Sequence, residues 1–584
     1  MLLAERMAKL RFYVHENYID EILFRIGQAG FLHQTEIRES FKDFEGYVHP
    51  VESSERLFRL SSVLSRIQML ISTLKVEEGE AVEKVKVQPI LADEDIDRIE
   101  ENLSRVEEEY AETATRLAEL KKEEKPSELK EIEEQKKRIS KLTDEVGMKL
   151  LVDRERVEIV RAIEEAKTKT GKTKRTYVLE GWAPKDKTKS LAKIVEEASF
   201  GYFSFATLEE DVRRGHEVEG KASPPTLLKN PGIAYVYQRI VTAFGIPNYQ
   251  EVDPSIFMIF SFPAIFGLMF GDVGHGLILL AFSLMLYVVK MKKLKTNELF
   301  NYLIQGSPLL MMCSIAAIIV GFLYGEVFGS HHYYEIVEEA IYGVSGIKIH
   351  EVVKGASLSL EGFLSTIAGF RIRIPFPFSP IEDTRSMLLV SIYVAILHIS
   401  FGLVLGLINE IKGRRYREAI LGPGLWIWFY FGFAYLFLRY KSQLLTVIFQ
   451  RLDIVGLYIV LPAMVMIIAR SAFHGMDGFG HALESLIASL SNTISYGRIL
   501  ALALAHSAFS SLLLSFTELN GTMMLAVGWA VWTVFTFLLI LCFETLLSFI
   551  HTLRLHWVEW FLKFYSGSGF EYKPFTIHRR FTAV

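Results

Sequence analysis

Residues 495–506 read SYGRILALALAH, which sets Arg498 inside one of the most apolar parts of the chain. A charge at the centre of a bilayer costs from about 2.5 kcal/mol upward and ordinarily faces a partner or a water-filled path. The apolar run holding Arg498 covers about 481–517, and another covers about 521–561. At 1.5 Å per residue both exceed a hydrocarbon core of ~30 Å, so they are expected to tilt strongly or to run past it. Further apolar runs lie near 254–271, 274–290, 308–330, 386–410, 420–439 and 454–470, which makes about eight crossings in all. FGDVGHG, residues 270–276, leaves room only for a tight hairpin between the first two. The 251–584 region therefore reads as an α-helical polytopic membrane domain whose last two helices are long and tilted.

The first 250 residues differ in kind: they are charge-dense and hold no apolar run long enough to span a bilayer. KLRFYV, YIDEILFRIGQAG and FLHQTEI read as strand, helix and strand. RTYVLEGWAP, KSLAKIVEEA and GYFSFATL repeat the pattern, so an α/β lobe is expected from about 1–50 and 175–207. Between the halves, about 92–170, Ile96, Ile99, Leu103, Val106, Tyr110, Leu117 and Leu120 follow heptad spacing, with Thr113 at the interrupted position. Pro126 in EEKPSE marks a reversal, and Leu129, Ile132, Ile139, Leu142 and Val146 lie on the returning helix. This predicts a long helical hairpin, or coiled coil, projecting from the lobe.

Across 584 residues the mean hydropathy is +0.25 and the net charge −4. The start, MLLAERMAKLRFYV, lacks a long apolar core with a cleavage site, so no secretory signal is expected. Cys313 and Cys542 sit in apolar segments and read as inert thiols, and no metal, cofactor or nucleic-acid partner is expected. No GxxxxGK[ST] loop occurs, so nucleotide chemistry is not assigned to this chain. Positive charge sets the orientation. With the N-terminal domain cytoplasmic, the loops holding Lys290, Lys292, Lys293 and Lys295, and Lys412, Arg414, Arg415 and Arg417, fall on the same side, as do Lys573, Arg579 and Arg580. Both termini are then cytoplasmic, and the 331–385 connection faces outward.

Ionisable groups concentrate in the last two runs: Glu484, Arg498 and His506, then Glu544, His551, Arg554 and His556. Glu484 and Arg498 are fourteen residues apart, about 40° short of four turns and about 21 Å along the axis, so they share a face. His506, eight residues on, is expected near that face, giving a candidate ion route. Snorkelling to headgroups is the alternative for Glu484 and Arg554, and hydrogen-bonded packing the alternative for His506. Asp272 and His275 flank a helix break, where freed backbone groups need partners; there, and at Glu326, a structural role is favoured over ion handling.

Four stretches together resemble the membrane-embedded a subunit, or subunit I, of rotary V-type and A-type ATPases: FGLMFGDVGHG, FLYGEVFG, SNTISYGRILALALAHSAFS and LLSFIHTLRLHWVEWFLKFY. PPTLLKN…FGIPNYQEVDP and YVLEGWAP look like the same family, so the resemblance covers nearly the whole chain. It implies a stator whose last two helices lie against a ring of c subunits, each with one mid-membrane carboxylate. Arg498 then matches the essential arginine and Arg554 the second functional one. Glu484, His506 and Glu544 match half-channel residues for protons or sodium ions. Peripheral-stalk subunits, the central stalk and soluble ATPase sector, and the lipid bilayer are the implied partners, in a prokaryotic plasma membrane. Family members commonly carry a second α/β lobe at the far end of the coiled coil; no strand-rich insertion lies between Lys121 and Leu129. From a different class, a self-contained secondary proton or cation transporter with a regulatory domain is the alternative; such transporters often pair broken helices in repeated halves.

Overall fold

The computed structural model describes residues 4–37, 48–52, 54–76, 84–88, 90–122, 129–210, 223–292, 297–368, 376–440, 450, 452–516 and 522–583. The chain packs as two compact units, one formed by 5–225 with 571–584 and the other containing 226–570. The expected boundary near 250 thus moves to 225/226, and the last fourteen residues leave the second unit for the first.

In the first unit, β1 (Met7–His15) is central. It pairs antiparallel with Thr176–Pro184 on one side and Phe203–Glu210 on the other, in register Phe12↔Leu179 and Phe12↔Phe205. Strict alternation turns Leu10, Phe12 and Val14 onto one face, where they are buried with Leu23 and Ile26 of α1 (Ile19–Ala29) and with Leu191 and Val195 of Thr188–Ala198. The second strand expected in FLHQTEI contracts to His33–Gln34 against Trp182 and Gly181. A Cβ on Gly181 would lie 2.5 Å from the His33 carbonyl, so that pairing depends on glycine.

The hairpin rests on a helix the heptad reading did not find. α2 (Glu55–Leu74) starts on Ser54, whose hydroxyl accepts from the Leu57 amide. It packs Leu60, Val63, Ile67 and Leu70 against Ile96, Ile99, Leu103 and Val106 of α3 (Asp93–Lys122) and Leu142, Leu150, Val157 and Val160 of α4 (Leu129–Thr168). The base is therefore a three-helix assembly, fastened outside by Arg59 on Asp97 and Glu100 and by Arg66 on Glu107. Pro126 and the expected tip lie outside the described residues.

Among the described residues, the second unit contains six helices long and apolar enough to cross a membrane. They are Val273–Met291 (α8), Phe300–Tyr324 within Glu298–Tyr324 (α9), Thr384–Lys412 (α12), Tyr416–Tyr440 (α13), Asp453–Ser515 and Ala526–Lys563. Two helices of the same unit precede α8: α6 (Gly232–Phe244) and α7 (Ser255–Met269), which is apolar but only fifteen residues long. The 331–385 connection is built largely as helices His331–Ser345 and Ile349–Ala368. The 63-residue element is not one rod. Gly475 adopts φ 62°, ψ −138° inside Leu461–Ser495 (α14). Beyond it the Arg470 guanidinium reaches the His481 carbonyl at 3.0 Å and the Ser485 hydroxyl at 2.7 Å, contacts a straight helix forbids. The chain folds back there, and α15 (Gly497–Ser515) continues the second limb. Thr522–Phe535 (α16) follows, then Thr545–Arg554 (α17), with π-helical turns over Thr536–Glu544 and Leu555–Trp560. Large apolar side chains such as Phe260, Leu397, Ile468, Ile487, Ile494 and Leu538 face outward. Water would penalise that surface and lipid would not, so the chain is a multi-pass integral membrane protein.

Candidate functional site

Arg498 sits at the start of α15, in a groove of about 770 Å³ lined by Leu486, Ile487, Leu490, Ser491, Ile494 and Ser495. It is the charged member of that lining. Its Nη1 donates to Glu559 Oε1 at 2.9 Å, and its side chain remains 22% exposed while the Glu559 carboxylate is 2% exposed. The guanidinium is thus anchored on one side and open on the other. Glu559, on the π-helical stretch after α17, is a partner the sequence reading missed.

Two polar gatherings lie to either side along the α14–α15 limb. Glu484 is exposed, with its Oε2 3.5 Å from His481 Nδ1, at a cavity of about 630 Å³ also lined by Arg470, Trp426, His474 and Lys563. The Arg470 guanidinium donates to the carbonyls of Leu421, Gly422 and His481, which holds the fold-back beside this cavity.

The other gathering is buried. His506 Nδ1 lies 2.7 Å from Glu544 Oε2. His506 does not share the face of Arg498: eight residues rotate a helix by about 80° beyond two turns. That turns it inward with Ile499, Ala503 and Ser510. Its ring meets those of Phe270 and His275 at centroid distances of 4.5 and 5.3 Å. Asp272 caps α8, its Oδ1 accepting from the His275 and Phe328 amides and its Oδ2 from the Gly329 amide. Glu326 accepts from the hydroxyls of Ser507 at 2.7 Å and Ser379 at 2.8 Å, while its carbonyl takes the Val273 amide. These contacts need close helix approach: a Cβ on Gly321 would lie 2.4 Å from the Val273 nitrogen. Asp272, His275, Glu326, His506 and Glu544, drawn from four segments, are therefore neighbours.

Arg554 stands apart: it is exposed at the end of α17, and no hydrogen bond or ion pair joins it to the other site residues among the described residues. A further cluster that sequence reading did not connect gathers around His398 and His556. His398 Nδ1 is 2.7 Å from the Tyr496 hydroxyl and its ring stacks on Trp560 at 4.6 Å, while His556 Nε2 is 2.8 Å from the Ser261 hydroxyl.

Residues 19–335 and 477–577 match the V-type ATPase 116kDa subunit family, and those segments hold every site residue named from the sequence. The chain belongs to that family. The A-type ATP synthase subunit I of Methanocaldococcus jannaschii is 25% identical over 485 residues, covering 78% of this chain and 64% of the relative. The A-type ATP synthase subunit I of Methanothermobacter thermautotrophicus is 27% identical over 457 residues, covering 77% and 60%. The human V-type proton ATPase 116 kDa subunit a 3 is 25% identical over 521 residues, covering 69% and 62%. The chain spans about three-fifths of the length of these curated relatives.

Proposed function

We propose that this chain is the membrane stator subunit of a rotary A/V-type ATPase or ATP synthase, providing half-channels and an essential arginine for proton translocation against a c ring. The observation that carries the reading is Arg498, anchored by Glu559 yet opening onto an apolar groove. A half-buried cation of this kind answers a carboxylate arriving from a partner. Arginine does not give up its proton; facing a ring carboxylate, it favours the ionised form and obliges that group to release its proton before passing. A permanent cation also neither accepts nor relays a proton, so it interrupts any wire between the two sides. The Glu484 cavity serves one half-channel and the His506–Glu544 gathering the other, since carboxylates and imidazoles exchange protons with water. Arg554, at the end of the adjacent helix, supplies a second positive charge. The printed names of the plant and human V-type relatives favour the proton as the ion.

On this reading the chain crosses the membrane eight times: α7 completes a short crossing, and the fold-back at Gly475 divides the 63-residue element in two. Both termini and the 5–225 unit are cytoplasmic, in a prokaryotic plasma membrane. The lobe and hairpin act as the cytoplasmic stator domain that takes up peripheral-stalk subunits, and the soluble ATPase sector completes the complex. The test is affinity purification from the native membrane, followed by reconstitution and proton and sodium flux assays. Copurification of a c ring and soluble ATPase subunits with ATP-driven proton uptake is expected. A chain that purifies alone and transports ions alone would refute the stator reading in favour of a secondary transporter.

A further inference from the structure

Asp272, His275 and His506 each bring one ligand-capable atom to a common point, all within 4.8 Å of one another, and all three residues are buried. His506 is committed through Nδ1 to Glu544 Oε2, and its buried Nε2 has no hydrogen-bond partner. The two nitrogens of His275 are also buried without a hydrogen-bond partner, although Nδ1 lies 3.3 Å from Asp272 Oδ1. Buried polar atoms left unpaired are costly, and proteins rarely keep several together without a use for their lone pairs. Asp272 retains capacity as well. Its two oxygens offer about four acceptor positions, and three backbone amides occupy three of them.

We propose that Asp272, His275 and His506 form a divalent transition-metal site of the zinc class within the membrane unit. Two imidazoles and one carboxylate are the donors that suit zinc and its neighbours, whereas calcium and magnesium ask for oxygen. Glu544 plays the positioning part. A carboxylate on the far nitrogen of a ligating histidine fixes its tautomer and raises its basicity, and here it leaves Nε2 as the free lone pair. Three protein donors leave the fourth position of such a site to a water. The metal-binding claim rests on these side chains alone. Its consequence, arrest of ion passage when the metal ties up His506, rests on the function proposed above.

The experiment uses full-length protein, stripped with a chelator and titrated with Zn²⁺, and with Co²⁺ as a spectroscopic probe. One tight equivalent is expected, with the intense visible bands of four-coordinate Co²⁺. His275→Gln and His506→Gln should each weaken binding by at least ~100-fold, and Glu544→Gln by ~10–100-fold with the stoichiometry kept. His350→Ala, on the exposed helix Ile349–Ala368, should bind as wild type. Absence of binding tighter than millimolar in the wild type overturns the site, as does binding that survives both His275→Gln and His506→Gln. In the reconstituted complex, Zn²⁺ should inhibit proton pumping at the concentration that fills the site. Filling without inhibition upholds the metal site and counts against the role of His506 in translocation.

Discussion

Arg498 keeps one nitrogen on Glu559 while lining the apolar groove. A buried acid beside a functional arginine both orients it and competes for its charge, and breaking such a pair leaves an uncompensated group. Glu559→Gln retains an acceptor oxygen and should slow ATP-driven proton pumping several-fold without abolishing it. Pumping at the wild-type rate would assign Glu559 to packing alone. Arg498→Lys should be severely impaired, because a buried lysine deprotonates where arginine does not; near-normal pumping would contradict the demand for a permanent cation. Glu484→Gln, His506→Ala and Glu544→Gln should slow pumping without stopping it. If all three pumped like wild type, the two gatherings would not be half-channels. Arg498, His506 and Glu544 could be singled out in the sequence because charge inside an apolar run is conspicuous. Glu559 could not, since in HWVEWFLK it lies among polar and aromatic residues where an acid reads as interfacial. Nor does spacing bring Asp272 to His506, over two hundred residues away.

Helix periodicity and alternation located most of the elements, and the misses have physical causes. α2 escaped because its apolar stripe is diluted by three arginines, four serines and a threonine, and only its fit between α3 and α4 makes the stripe a core. The fold-back at Gly475 occurs within HGMDGFGH, where two more glycines give no sign of which one reverses the chain. The hairpin has a consequence of its own. Six residues separate α3 from α4, too few for a second lobe, so the single lobe should be the main globular contact for a stalk. Deleting residues 110–140 and closing the shortened hairpin should leave membrane insertion intact. It should weaken stalk attachment less than substitutions across the lobe surface do, and cross-links confined to the hairpin tip would show the opposite.

At the scale of the whole molecule, the chain passes from the first unit to the second near 225 and returns near 570. The final segment is built into the first unit. Val85–Lys86 pairs in parallel with Thr582–Ala583, Ile577 donates its amide to the Gly27 carbonyl, and Phe581 is buried in the helical core. Glu155 of α4 clamps this segment, accepting from the amides of Arg580, Phe581 and Thr582 and from the Thr582 hydroxyl. Burial pushes its carboxyl up, but the Thr582 hydroxyl and the three amides outweigh that and hold it below the ordinary glutamate value. A depressed carboxylate adds stability that is full above the unfolded value of about 4.3 and fades as pH falls through the folded one. Hydrogen-exchange protection at residues 580–583, taken relative to the intrinsic rate at each pH, should therefore be high at neutral pH and fall in acid. Glu155→Gln should exchange fast at neutral pH and lose the acid dependence; protection unchanged in that variant would remove the clamp from the account. None of this was legible in the C-terminal sequence, whose basic residues read only as an orientation signal.

The central claim is that a partner's mobile carboxylate meets Arg498. It is tested most directly by ATP-driven proton pumping in reconstituted complexes carrying Arg498→Ala, with assembly checked by subunit stoichiometry. Fully assembled complexes that no longer pump are the predicted result, and assembled Arg498→Ala complexes pumping near the wild-type rate would contradict it.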